Sequence, residues 1–158
     1  MVAVAALLVA CGSSGAQDRG RLHVAPARNA DTPFGAFGET RLALGARCLR
    51  VLVATTEVQR VQGLRDVQSL APYDGMIFVY ESDTSARFTM ANTPLPLDIS
   101  FFDADGKPVD QQRMTPCPTG TDATCPIYAS THRFRYALER AAGMAGAAGG
   151  GALAACGA

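Results

Sequence analysis

Apolar residues along this chain fall into two patterns, and each predicts a different kind of element. From Leu49 to Ala54, in the run Arg47–Ala54, apolar side chains occupy both parities, which predicts a strand covered on both faces. Thr56 and Gln59 then stand at the spacing of a capping box, and Val58, Val61 and Leu64 recur at helical spacing. Gly63 accepts the left-handed backbone that ends a helix, so a short helix over 56–63 with one apolar stripe is expected. Pro72 and Asp74-Gly75 predict a turn, and Met76–Tyr80, apolar throughout, a second central strand.

Strict alternation appears further on. Arg87–Met90 puts Phe88 and Met90 on one face, and the same parity would place Asn92 beside them. Leu95, Leu97, Ile99 and Phe101 share one parity, with Asp98 and Ser100 on the other. The Asp105-Gly106 step predicts a hairpin with a type I′ turn. Phe134, Tyr136 and Leu138 alternate with Arg133, Arg135 and Ala137, which predicts a last strand with a charged outer face. Short strands, one helix and tight turns predict a mainly β (β-rich α+β) domain over residues 40–143, a compact antiparallel sandwich or barrel-like fold. No internal repeat of 20–50 residues is visible.

The flanks have a different character. Val2–Ala10 is apolar, too short to span a bilayer but suited to an export signal over residues 1–10. The basic segment that ordinarily precedes such a run would lie upstream of Met1. Leu8-Val9-Ala10-Cys11 resembles the bacterial lipobox, which implies a diacylglycerol on the Cys11 thiol and a membrane anchor on the extracytoplasmic side. Residues 11–39 mix Gly, Ser, Asp, Arg and Pro without period and are expected to form a flexible tether. Residues 144–158 are rich in Ala and Gly, uncharged and expected to be poorly ordered.

Composition narrows the function. A length of 158 residues suits one domain, and 48% hydrophobic residues are enough to build a core. Fourteen basic and fourteen acidic residues cancel, so the basic excess that nucleic acid demands is missing. In an exported chain the Pro- and Thr-rich loop holding Cys117 and Cys125 is expected to close as a disulfide. Cys48 lies in a strand expected to be buried and reads as an inert core thiol; Cys156 either stays free or pairs with Cys48. His132 is remote from a metal-ligand pattern, Asp103, Asp105 and Asp110 lack the closing acid of a calcium loop, and no serine elbow exists. Neither a metal nor a cofactor is therefore expected, and the domain is expected to be a monomer.

The segment Met90–Asp98 is the candidate binding element. Pro94 and Pro96 fix an extended bend and remove two donors. Asn92, Thr93 and Asp98 flank it and are the candidate ligand-binding residues, although the same polar groups can instead satisfy the backbone of the bend. Three roles remain open on this reading. The domain binds a small polar ligand or an envelope partner, or it is a hydrolase using Asp98 with Glu139 or Glu81, or it is a structural envelope domain without a ligand.

One ordered series of residues goes beyond these patterns. Gly63-Leu64, Asp74-Gly75-Met76-Ile77-Phe78, Met90-x-Asn92-Thr93-x-x-Pro96-Leu97-Asp98-Ile99-x-Phe101, Gly106, Pro116, Cys125-Pro126-x-Tyr128 and Tyr136-x-Leu138-Glu139 with Gly143 resemble the domain-of-unknown-function 192 family. The resemblance covers about residues 40–143. It implies a compact β-rich domain, often exported or lipid-anchored, and brings no established reaction, substrate or cofactor. The chain departs from the family pattern at Thr89, where a Trp is usual, and at Ala91, where a basic residue is common. After Gly143 the family's closing strand gives way to the Ala/Gly tail.

Overall fold

A computed structural model describes residues 21–143 and 151–156. The expected export signal, Cys11 and the expected tether up to residue 20 lie outside the described residues. Ten strands and one short helix follow one another as β1 (Arg28–Asn29), β2 (Gly38–Leu44), β3 (Arg47–Ala54), α1 (Glu57–Gln62), β4 (Gly75–Thr84), β5 (Arg87–Thr89), β6 (Leu97–Phe102), β7 (Pro108–Met114), β8 (Ile127–Ala129), β9 (Phe134–Ala141) and β10 (Leu153–Ala155). The mainly β class with one short helix is what the patterning predicted.

Eight strands form one large sheet in the order β1-β2-β3-β4-β9-β6-β7, with β10 also on β2; β5 and β8 form a second, small sheet. The large sheet is mixed and does not close into a barrel. β3 and β4 run parallel, joined through α1, because parallel neighbours need a crossover rather than a hairpin. The other pairings are antiparallel.

Apolar residues cover both faces of the large sheet. One face carries Leu52, Met76, Phe78, Ile99, Phe101 and Ala137, and β5 packs over it through Phe88. Phe88 meets the edge of Phe78 at 5.3 Å and of Phe101 at 5.7 Å, the geometry that the ring quadrupole favours. The opposite face carries Val51, Val53, Ile77, Tyr136, Leu138 and Leu153. Each fully buried side chain of this kind contributes roughly 1.5–3 kcal/mol.

Several local expectations are corrected. Residues 21–39 are not a loose tether. Val24, Phe34 and Phe37 are buried and β1 pairs with β2, because these apolar side chains cover parts of the sheet that would otherwise face water. The tail is not loose where it is described. Leu153 is 2% exposed, β10 pairs with Leu42–Leu44, and Cys156 is bonded to Cys48 with Cα atoms 5.6 Å apart. Cys48 is accordingly no core thiol: the first two residues of β3 are exposed.

Helix α1 has the expected capping box, with Thr56 accepting from the Gln59 N–H, and it ends at Gly63 with φ 48°. Of its predicted apolar stripe, however, only Leu64 is buried: Val58 is 80% exposed and Val61 64%. The turn between β6 and β7 has positive φ only at Gly106 (78°), with Gly106 N–H donating to Asp103 C=O. It is therefore not a type I′ turn, and the register shifts beside it between Phe101 and Phe102. Strand β9 has no charged outer face, since it lies between β4 and β6 and is covered on both sides.

Candidate functional site

Register decides which side chains meet. In β9, Glu139 stands opposite Met76 of β4 and Ile99 of β6, so its side chain shares the apolar face of those residues. Residue Glu139 is only 5% exposed, yet it lines a cleft of about 760 Å³. Among the described residues, none donates a hydrogen bond to its carboxylate and none forms an ion pair with it. Desolvation pushes this carboxyl up to about 8, since burial disfavours the charged form. It is therefore largely neutral at pH 7.

The cleft walls come from segments far apart in the chain, between Glu57 and Glu139. Phe78 and Tyr80 of β4 continue the face of Glu139, and Arg87–Thr89 with Met90 form a second wall. Ile127 of β8 and Asp122 close the third side, and Gly63-Leu64-Arg65 after α1 the fourth. Burial pushes the Tyr80 phenol up to about 12, with Arg60 acting against this and Glu139 reinforcing it.

Two arginines are held in place by local bonds. Arg60 donates to the Thr55 and Val79 carbonyls at 2.5 and 3.0 Å, and its guanidinium carbon lies 4.9 Å from the Tyr80 ring centroid. Arg65 reaches Asp122 at 2.6 Å and the carbonyls of Val61 and Ala91 at 3.1 and 3.2 Å. The Cys117–Cys125 disulfide, Cα atoms 6.1 Å apart, fixes the loop that carries Asp122. The Cys117 backbone in turn exchanges hydrogen bonds with Asn92 and Thr93.

Of the candidate ligand-binding residues Asn92, Thr93 and Asp98, only Thr93 lines this cleft. It is buried, and its hydroxyl donates to the Ala91 carbonyl at 3.3 Å. Asn92 does not share the face of Phe88 and Met90. It adopts φ 56°, a conformation Asn tolerates, and its side chain is exposed where the chain turns back. Asp98 lies on the other face of the sheet, opposite Arg140, and accepts from Arg113 Nε at 2.9 Å and from the Gly143 N–H at 3.3 Å. Those bonds hold its carboxyl below the usual range, the Arg113 guanidinium contributing most. Glu81 is exposed on β4.

Sequence reasoning named Glu139 only as a possible acid or base beside Asp98 and did not foresee its burial, because strand parity assigned it to a solvent face. Only its place in a central strand makes that face part of the core. A second groove of about 620 Å³ lies between α1 and Phe34 and Phe37, but no buried charged group lines it. No group of three or more metal-ligating side chains occurs among the described residues.

Comparison with known proteins places this geometry among uncharacterised relatives. Residues 40–150 match the DUF192 family, described as Uncharacterized ACR. A Sinorhizobium meliloti 1021 protein, proposed to be a transcription regulator, has a similar structure at TM-score 0.64 and 29% identity, covering 74% of this chain and 93% of its own. A Novosphingobium aromaticivorans DSM 12444 protein of unknown function is similar at TM-score 0.67 and 23% identity, covering 82% and 92%. No curated protein matches.

Proposed function

The chain belongs to the DUF192 family, and from that premise we propose that it is an exported domain, anchored by a lipid on Cys11, that binds a small polar ligand in the cleft above Glu139. Two disulfides suit an oxidising compartment outside the cytoplasm. Among the described residues no helix is long and apolar enough to cross a membrane, so attachment would fall to the N-terminal signal and its lipid.

The single observation that carries the binding reading is Glu139. A carboxyl placed between Met76 and Ile99 without a protein partner destabilises the fold relative to an apolar residue of similar size. Such a group is useful when something entering the cleft completes its hydrogen bonds.

Two measurements test the proposal. Expressed with its signal in an exporting bacterium, the chain is expected to fractionate with membranes, and Cys11→Ser to release or stall it. A fully soluble, unlipidated wild type would overturn the anchor. A thermal-shift panel of sugars, carboxylates, amines and amino acids should contain a compound that stabilises the wild type but not Glu139→Leu. A panel without any such compound would leave a purely structural envelope domain.

A further inference from the structure

The charges around the cleft are matched locally, with two exceptions. Arg65 is paired with Asp122, and Arg60 is bonded to two carbonyls and stacked on Tyr80. Glu57 lies in the first turn of α1, where the helix dipole favours an acid. Arg87 on β5 is exposed at the rim, and its guanidinium has no hydrogen bond or ion pair among the described residues. Glu139, at the floor, has none either. The two groups are opposite in sign and differ in depth, and Phe88, Met90, Leu97 and Ile127 line the space with them.

Building on the cleft as a ligand site, we infer that its ligand is a small zwitterion with an apolar spacer, the ammonium seated on Glu139 and the anionic group on Arg87. The opposite polarity forms no charge pair at either end: the Arg87 guanidinium would repel an ammonium at the rim, and at the floor an anion would meet only neutral hydrogen-bonding groups, the Glu139 carboxyl and the Tyr80 phenol. A simple amine would satisfy Glu139 while leaving Arg87 unanswered at the rim. A simple acid would use Arg87 and leave the floor unpaired. The rings of Phe78 and Phe88 beside the floor add quadrupole attraction for an ammonium.

Proton balance follows from the surroundings of Glu139. Its neighbours are Met76 and Ile99 on the flanking strands and Tyr80 on β4; Arg60 lies beyond the Tyr80 ring, and Arg65, Arg87, Asp122 and Glu57 are the other charged groups of the cleft. In the free protein the carboxyl, raised to about 8, is mostly protonated at pH 7. An ammonium docking there leaves a carboxylate and sends one proton to solvent. Affinity therefore rises with pH up to about 8, by up to about tenfold per pH unit, while the ligand ammonium stays charged.

The test is calorimetric titration of the full chain with γ-aminobutyrate, ε-aminocaproate and ω-aminocaprylate, each beside the fatty acid and alkylamine of equal length. Buffers of different ionisation enthalpy report proton release. One ω-amino acid is expected to bind about tenfold or more tighter than both analogues, with about one proton released at pH 7. Glu139→Gln should abolish the proton release and the preference over the acid, and Arg87→Gln the preference over the amine. Circular dichroism of both variants confirms that they fold. Equal binding by an analogue, or binding without proton release, overturns the zwitterion. So does failure of all three compound classes when another member of the wider panel binds, which leaves the ligand-binding role intact. Silence of the whole panel removes that role as well.

Discussion

Asp98 and Glu139 stand one residue out of register: Glu139 faces Ile99 across β6 and β9, while Asp98 faces Arg140. Because side chains alternate along a strand, the two carboxylates leave the sheet on opposite faces. They therefore cannot flank one scissile bond, and the acid–base pair that a hydrolase would draw from them does not form. Each then has its own role. Asp98 is tied to Arg113 and the Gly143 N–H, and Glu139 looks into the cleft.

Replacing Glu139 by Gln should stabilise the protein increasingly as pH rises. The folded carboxyl, near 8, lies above its ordinary value, so the folded state binds more protons than the unfolded one in between. Wild-type stability is then intact at pH 4 and falls as pH rises towards 8, by about 1.4 kcal/mol per unit. Urea unfolding of both proteins at pH 5, 7 and 9 should show the gap widening to several kcal/mol, on the order of 3–5. A gap independent of pH would show that Glu139 is not buried as described.

Asp98→Asn should cost roughly 1 kcal/mol at pH 7 and leave ligand binding in the cleft unchanged, because it weakens the charged bonds to Arg113 and Gly143 on the far face. Urea unfolding measures the first outcome and titration the second. Loss of binding without loss of stability would return Asp98 to the binding site.

The Cys48–Cys156 disulfide spans 108 positions, so in the chain-entropy view it constrains a large part of the unfolded chain. Replacing both cysteines by Ser should lower stability by about 3–5 kcal/mol. Mass mapping without reduction should recover the Cys48–Cys156 and Cys117–Cys125 peptides, each still joined. Free thiols at these positions in protein purified without reductant would contradict the pairing.

Tyr73→Phe tests the docking of residues 21–39. The Tyr73 hydroxyl donates to Glu39 at 2.6 Å and accepts from the Asp31 N–H at 2.8 Å. Arg50 and Arg28 also bind Glu39, and together these bonds, led by Arg50, hold its carboxyl down to about 2. Stability from Glu39 is present above its ordinary value and is lost as pH falls from about 4.5 towards 2. The variant should be less stable than wild type at pH 7, with the difference shrinking in acid. Protease cutting before residue 40 should also accelerate. Equal cutting rates would mean that this segment is not held by Tyr73.

Gly120 packs against the Cys117–Cys125 bridge so closely that a β-carbon there would collide with both sulfur atoms. Gly120→Ala should destabilise by roughly 1–3 kcal/mol, as overpacking does, and should raise the rate at which dithiothreitol reduces this bridge relative to Cys48–Cys156. An unchanged rate ratio would show that the loop adjusts freely.

What the sequence by itself determined were the local choices. The capping box at Thr56 and Gln59, the stop at Gly63, the strand Arg47–Ala54 and the β-rich class were all legible, because each depends on residues a few positions apart. Tertiary structure decided everything that depends on which strands are neighbours. Alternation in Phe134–Ala141 told which residues oppose each other, but not that β9 would be covered on both faces, and so it could not reveal Glu139 as a buried acid. The same holds for the segments whose composition predicts looseness. Val24, Phe34, Phe37 and Leu153 are scattered among Gly, Pro and Ala without period, and they become core only because distant strands present apolar surface to them. Periodicity records one element's two faces; burial depends on what packs against each of them, and that partner lies far away in the chain.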